Sequence, residues 1–350
     1  MTRTTEQTQT ATTTAVVRDR YGDHTRLASR TQPTPQPAEG KVLVRVLAAG
    51  VNPLDRHTLS GTPWIMRMST GLRRPKQAGL GTDLAGIVAA IGPGVTAWAP
   101  GDRVFGFGDA TFATHAIAGE RGLVALPDDQ AAHLMAAIPV AGVTAAQALD
   151  AAGVGAGSTV LVLGASGGVG TMTVQLAVAR GATVTGVCST ANVELVRSLG
   201  ATHVLDRTTS SLDELTDRYD AIIDNAGAWP LRVIRRRLTE TGAYVVVGGP
   251  DGGRLIGPLR HGIKSKLAFA FRSQRAIVFM ARLSGEAVTA LRDLVVSGQL
   301  TPVVSATYPL ERAAEALRVV AAGHTRGKIV IQVADDDPPD DAPGVASATE

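Results

Sequence analysis

A chain of 350 residues, at roughly 150 residues per domain, predicts two domains, each large enough to bury its own core. Hydrophobic residues form 45% of it and charged residues 19%, with 39 glycines and only 4% aromatics, which excludes disorder for the bulk and matches Ala/Gly/Val-rich α/β proteins. The net charge of +3, without a basic run interleaved with aromatics, argues against a nucleic-acid groove, no apolar run is long enough for a spanning helix, and the single Cys188 rules out an intrachain disulfide and a multi-cysteine zinc site.

Residues 1–14 are Thr-rich and residues 334–350 rich in Asp and Pro, so both read as polar disordered tails; the first lacks the apolar core of a signal peptide, and a soluble cytoplasmic protein is expected. Lys41 to Leu47 has strand propensity, and short strand-like pieces separated by Gly and Pro turns continue to Leu126. From Pro139 the pattern changes to alternating strands and helices: Val160–Leu163, a helix from Gly168, Val184–Val187, a helix near Val193–Leu199, Tyr219–Ile223 and Tyr244–Val247. That alternation predicts an α/β unit with a parallel, doubly wound sheet over 139–298. Arg235, Arg236 and Arg237 fall in a helical segment and read as a solvated face. Ser284 is placed to cap a helix that Gly298 stops, and a last helix, Glu311 to Ala322, leads into the strand-like run Lys328 to Val333.

The strongest chemical signal is Thr159-Val-Leu-Val-Leu-Gly-Ala-Ser-Gly-Gly-Val-Gly170, a buried strand running into a glycine loop that opens a helix. Side chains there would hold the backbone away from a pyrophosphate, whereas free N–H groups and the positive helix end favour bound anions. Gly164, Ala165, Ser166, Gly167, Gly168, Val169 and Gly170 are therefore expected to cradle a dinucleotide. The second strand ends Cys188-Ser189-Thr190 with no carboxylate to accept the ribose hydroxyls of NAD, which favours NADPH over NADH. Ser189 and Thr190 offer hydroxyl donors, and Arg207 offers either charge for a 2′-phosphate or a solvated side chain.

In these motifs the chain resembles the medium-chain dehydrogenase/reductase superfamily, in its zinc-free quinone oxidoreductase-like branch. The resemblance spans about residues 15–333 and rests on the glycine loop with Ala48-Ala-Gly-Val-Asn-Pro-Leu-Asp55, Gly81-Thr-Asp-Leu-Ala-Gly86, Pro100-Gly-Asp-Arg-Val-Phe105, Pro139-Val-Ala-Gly-Val-Thr-Ala145 and Gly323-His-Thr-Arg-Gly-Lys-Ile-Val330. It implies a GroES-like catalytic domain (15–138 and 299–333) interrupted by a Rossmann domain, a cleft site between them, and a homodimer. Zinc-dependent members carry Cys where Asn52 stands, His-Glu where Thr82-Asp83 stands and Cys where Val140 stands, so no metal is expected.

By the same resemblance Asn52 and Thr144 lie near the nicotinamide and its ribose, Asn52 either offering its amide or simply forming the turn before Pro53. Asp55 orients that loop, and His57, on a loop, is either a proton relay or polar surface. Asn225, Gly248 and Gly249 are expected to approach the nicotinamide end, and Trp64, Met66 and Phe279 to line a substrate pocket or pack in the core. Without a Lewis acid, electrophilic acceptors are favoured, so the expected reaction is hydride transfer from NADPH to a quinone or an enone, with protonation by solvent or a side chain. The alternatives are a carbonyl or enoyl reductase of a biosynthetic pathway and a non-catalytic NADPH-binding redox sensor. No nucleic-acid or membrane partner is expected.

Overall fold

The computed structural model describes residues 11–227, 229–248, 259–270, 272–278, 280–323 and 325–335. Strand Lys41–Val51 is apolar at nearly every position, too continuous for a sheet with one wet face, and both of its faces are covered. It lies centrally in a six-stranded sheet ordered Val304–Pro309, Lys328–Gln332, Lys41–Val51, Asp83–Ile91, Arg103–Asp109, His115–Ala125. Residues 41–45 also pair with 115–119, curling the sheet onto itself around Val42, Val44, Val46, Leu84 and Val104. The last strand of the chain, Lys328–Gln332, thus returns to the sheet begun by the first third of the sequence.

The second sheet is parallel throughout, ordered Arg275–Val278, Leu238–Val246, Tyr219–Asp224, Thr159–Leu163, Thr183–Cys188, His203–Asp206. In chain order this is the 3-2-1-4-5-6 arrangement of a doubly wound dinucleotide-binding sheet, whose ligand crevice lies beyond the carboxyl ends of the strands at the switch point. Helices Pro139–Ala152 and Gly168–Ala179 pack against one another and against the sheet, and Ser284 caps Gly285–Val296 by accepting the Ala287 N–H at 3.3 Å. Among the described residues no helix is long and apolar enough to cross a membrane.

Two expectations about element limits change. Thr12–Val17 is a strand paired antiparallel with Ala28–Pro33, so order begins inside the stretch read as a tail. Its threonines are satisfied by partners distant in sequence: Thr13 Oγ1 lies 2.8 Å from Thr114 Oγ1, which also accepts the Thr14 N–H. The strand predicted from Tyr244 starts earlier, at Leu238, because Tyr219 and Leu238 already pair across a register shift.

Gly170 sets how closely the first nucleotide-domain helix approaches its strand. A Cβ there would lie 2.1 Å from the Gly164 carbonyl oxygen, which is backbone and has no freedom to give. Gly170→Ala should lower the unfolding free energy by about 1–3 kcal/mol; an unchanged urea midpoint would show that the helix can move away at no cost.

Candidate active site

Helix Pro53–Ser60 starts immediately after the central strand, with Asn52 as its N-cap and Pro53 at its first position. The Asp55 carboxylate reaches back to accept the Asn52 N–H at 2.7 Å, while the Asn52 side chain turns away from the helix. Its Oδ1 accepts from Lys328 Nζ at 2.5 Å, and its Nδ2 donates to Asp83 Oδ2 at 2.9 Å. Lys328 Nζ donates also to the Val51 carbonyl at 3.1 Å and to Asp83 Oδ2 at 3.3 Å, and Asp83 Oδ1 accepts the Val140 N–H at 3.0 Å. Asn52, Asp55, Asp83 and Lys328 are all at most 4% exposed.

The Asn52 amide, expected near the nicotinamide, is thus engaged at both its oxygen and its nitrogen by groups of the protein. Lys328 was not foreseen as a site residue, because its partners lie 245 and 276 positions away. Burial raises the carboxyls of both Asp55 and Asp83, and that of Asp55 is pushed up to about 7 despite the opposing backbone hydrogen bond from Asn52. One ammonium stands near two buried carboxyls, and its attraction does not outweigh the cost of burying either as an anion.

The glycine loop lies against this cluster. Gly164 adopts φ +72°, and its N–H and that of Ala165 donate to the Val187 carbonyl. Gly167 forms a parallel bridge with Gly327, whose N–H donates to the Ser166 carbonyl at 2.7 Å, and a Cβ on Gly168 would meet Lys328 Cδ at 3.0 Å. The loop of one domain is therefore fastened to the last strand of the other. Val169 and Gly170 belong to the first turn of helix Gly168–Ala179, where N–H groups lack intrahelical acceptors and suit an anion. Thr144, on helix Pro139–Ala152, donates its hydroxyl to the Val140 carbonyl at 2.6 Å and is partly exposed.

At the end of the second strand Cys188 is buried, its thiol pushed up to about 11 by desolvation. Its carbonyl accepts the Arg207 N–H, which places the exposed Arg207 beside Ser189 and Thr190. Asp206, overlooked in the sequence, stands next to them, but its carboxylate accepts from Thr208 Oγ1 (2.6 Å) and N–H (2.9 Å) and is held below the usual range by these and Thr190. Asn225, just past the carboxyl end of strand Tyr219–Asp224, donates to the Leu163 carbonyl, and its Oδ1 is buried with no partner among the described residues. At Gly248 a Cβ would lie 2.4 Å from the Asn225 carbonyl oxygen, so the two expected loop residues pack backbone to backbone. Buried Asp224 shapes this loop by accepting from Ala226, Gly227 and the Tyr244 hydroxyl (2.6 Å), the last within 2.9 Å of His261 Nε2. Gly249 and Phe279 lie outside the described residues.

His57 sits in the last turn of helix Pro53–Ser60, not on a loop, with Nδ1 2.9 Å from the Thr62 carbonyl oxygen. Trp64 lines a cavity of about 490 Å³ together with Tyr21, Arg56, Arg67 and Leu317, none of them in the buried cluster or the glycine loop. Met66 belongs to the same short turn but does not line that cavity. The positions that resemble zinc ligands hold Asn52, Thr82, Asp83 and Val140, and the Asn52 amide and Asp83 carboxylate among them are bonded to the Lys328 ammonium. Their donor set does not fit a divalent cation, and no group of three His, Cys, Asp or Glu suited to a metal occurs among the described residues.

Lys328→Met leaves a buried carboxylate unpaired and should cost about 3–5 kcal/mol of unfolding free energy, with Asp83→Asn in the same chain recovering part of the loss; additive losses in a double-mutant cycle would argue against the pairing. Asp55 supplies a pH signature. Its folded value is above its unfolded one, so the stability tied to its proton is complete below about pH 4 and declines as pH rises to about 7. Asp55→Asn should gain on the parent protein across that interval in chemical denaturation, and a pH-independent difference would place the titration elsewhere.

Residues 38–128 match the family described as Alcohol dehydrogenase GroES-like domain, and residues 199–331 that described as Zinc-binding dehydrogenase. The chain is 31% identical over 317 residues to the chloroplast envelope quinone oxidoreductase homolog of Arabidopsis thaliana, covering 86% of this chain and 92% of that one. It is 28% identical to the chloroplastic NADPH-dependent alkenal/one oxidoreductase of the same plant, over 85% of this chain and 73% of that one. The quinone oxidoreductase from Coxiella burnetii superposes with a TM-score of 0.81 at 28% identity, covering 92% of this chain and all of the other. With its two sheets, its glycine loop at the switch point and this breadth of likeness, the chain belongs to the medium-chain dehydrogenase/reductase superfamily, in its quinone oxidoreductase-like branch.

Proposed function

We propose that this oxidoreductase transfers a hydride from NADPH to a quinone or an α,β-unsaturated carbonyl compound without a catalytic metal. The observation that carries the reading is the contrast between two neighbouring features. The dinucleotide loop is intact, whereas the positions that would hold a Lewis acid are occupied by the Lys328–Asn52–Asp83 network.

NADPH, when bound, supplies the hydride. The loop from Gly164 to Gly170 and the first turn of its helix would hold the pyrophosphate, and the unpartnered Asn225 Oδ1 fits a donor from the nicotinamide half. Preference for NADPH is supported by the absence of a free carboxylate at the end of the second strand. Asp206 is engaged by Thr190 and Thr208, leaving exposed Arg207 as the charged group for a 2′-phosphate.

Without a divalent cation the substrate oxygen must be stabilised by hydrogen bonds, so acceptors that yield a delocalised enolate or hydroquinone anion are favoured over simple ketones. Water is the proton source that fits best, because each tyrosine is committed elsewhere. Tyr219 and Tyr244 are buried in the nucleotide domain, Tyr21 donates to the Gly71 carbonyl, and Tyr308 lies under Arg312. Asp55 and His57 then act as positioning residues for the floor and flank of the cleft. A homodimer joined through the outermost strand, Arg275–Val278, fits the same reading.

Steady-state oxidation of NADPH and NADH against an aromatic quinone, a simple enone and an aldehyde, after exhaustive metal chelation, tests the proposal. Turnover of quinone or enone should survive the chelator, and activity lost on chelation would sink it. Arg207→Ala should raise KM for NADPH by about ten- to a hundredfold while leaving NADH nearly unchanged; equal effects on both cofactors would remove Arg207 from 2′-phosphate recognition.

A further inference from the structure

Five guanidinium groups converge far from the dinucleotide loop. Arg232, Arg235 and Arg236 lie at i, i+3 and i+4 on helix Leu231–Arg237, and with Arg218 and Arg272 they line an open depression of about 700 Å³ whose only carboxylate is that of Glu240. Arg218 immediately precedes strand Tyr219–Asp224, and Arg272 lies in the turn before Arg275–Val278. The depression is thus at the amino edge of the parallel sheet, whereas the glycine loop is at its carboxyl edge, about 20 Å away along a six-residue strand.

A solvated basic face explains these residues only in part. Cations at a helix carboxyl end are favourable, but like charges three and four residues apart on one short helix oppose one another. Arg236 is relieved by Asp213, 2.6 Å away. Arg235 Nε and Arg237 Nε are buried without an acceptor among the described residues. The wall is also fixed in place: Gln274 Nε2 donates to the carbonyls of Arg235 (3.0 Å) and Thr239 (3.1 Å), tying the turn that carries Arg272 to the end of the helix that carries the other arginines. A pre-organised concave set of planar donors with a surplus of positive charge is the arrangement that binds phosphate groups bidentately.

We propose that this depression is a second anion site, separate from the dinucleotide site, that takes a compact ligand bearing two or more phosphate groups. Compactness follows from the surroundings. Exposed Asp213, Glu214, Asp217 and Asp220 border the arginines along the chain and would repel a long polyanion running past the depression.

Tripolyphosphate titrated calorimetrically into the full chain, at low and at physiological salt, is the direct test. The parent protein should bind it with an affinity that falls as salt rises, and the double reversal R232E/R272E, on exposed side chains, should weaken binding about tenfold or more. A matched reversal of exposed arginines in the other domain, R20E/R318E, and R207E, beside the end of the second strand, should leave it nearly unchanged. Equal losses in R232E/R272E and R20E/R318E would reduce the effect to net charge, and a loss confined to R207E would move it to the dinucleotide site; either overturns the proposal. A single-stranded RNA bound more tightly than tripolyphosphate would overturn the assignment to a compact ligand.

Discussion

The Lys328 ammonium, buried and shared among the Val51 carbonyl, the Asn52 amide and the Asp83 carboxylate, is the interaction on which the rest of the cleft depends. A buried charge is tolerated only when its partners surround it, and here every donor of the ammonium has an acceptor. Each partner then fixes something else. Asn52 begins the helix that carries Asp55 and His57, Asp83 fastens the start of helix Pro139–Ala152 through Val140, and the lysine stem lies under Gly168 of the dinucleotide loop. This one side chain thus joins the GroES-like sheet, the start of helix Pro139–Ala152 and the glycine loop, beside the Gly167–Gly327 bridge.

The same network is what favours the proposed metal-free reading. A metal site needs ligands with open lone pairs converging on an empty centre. Here the Lys328 ammonium stands among Asn52 Oδ1 and Asp83 Oδ2, and Asn52 Nδ2 donates to the same Asp83 oxygen. Burial raises the carboxyls of both Asp55 and Asp83, so the charge state of this small volume is tied to the one ammonium beside them. In the proposed reading these charges set the geometry around Asn52.

How much of this was legible in the sequence follows from the range of each interaction. The parallel sheet and glycine loop announced themselves, because strand–loop–helix patterning is local and Gly170 is demanded by a backbone contact only six residues away. Asn52 and Asp55 stood out by motif, yet the direction of the Asn52 side chain depends on Lys328, and no periodicity links residues 276 positions apart. His57 was placed on a loop because Asn52 before Pro53 reads equally as a turn, whereas here Asn52 is the N-cap and Pro53 the first position of a helix. Thr12–Val17 looked like a tail because its threonines reveal nothing of Thr114, and Asp206 escaped notice because it ends the third strand instead of the second.

The bridge between Gly167 and Gly327 also bears on how the protein is made. A ribosome delivers the nucleotide domain's first strand and glycine loop early, but the residues that brace the loop are among the last of the ordered chain. Until Gly327 and Lys328 leave the exit tunnel, the loop lacks the backbone partner of Ser166 and the surface under Gly168. The nucleotide sheet can assemble during synthesis, since domains fold largely as units. A nascent chain halted before Lys328–Gln332 would therefore own a folded nucleotide sheet with its glycine loop unbraced, and the brace would arrive only with that strand.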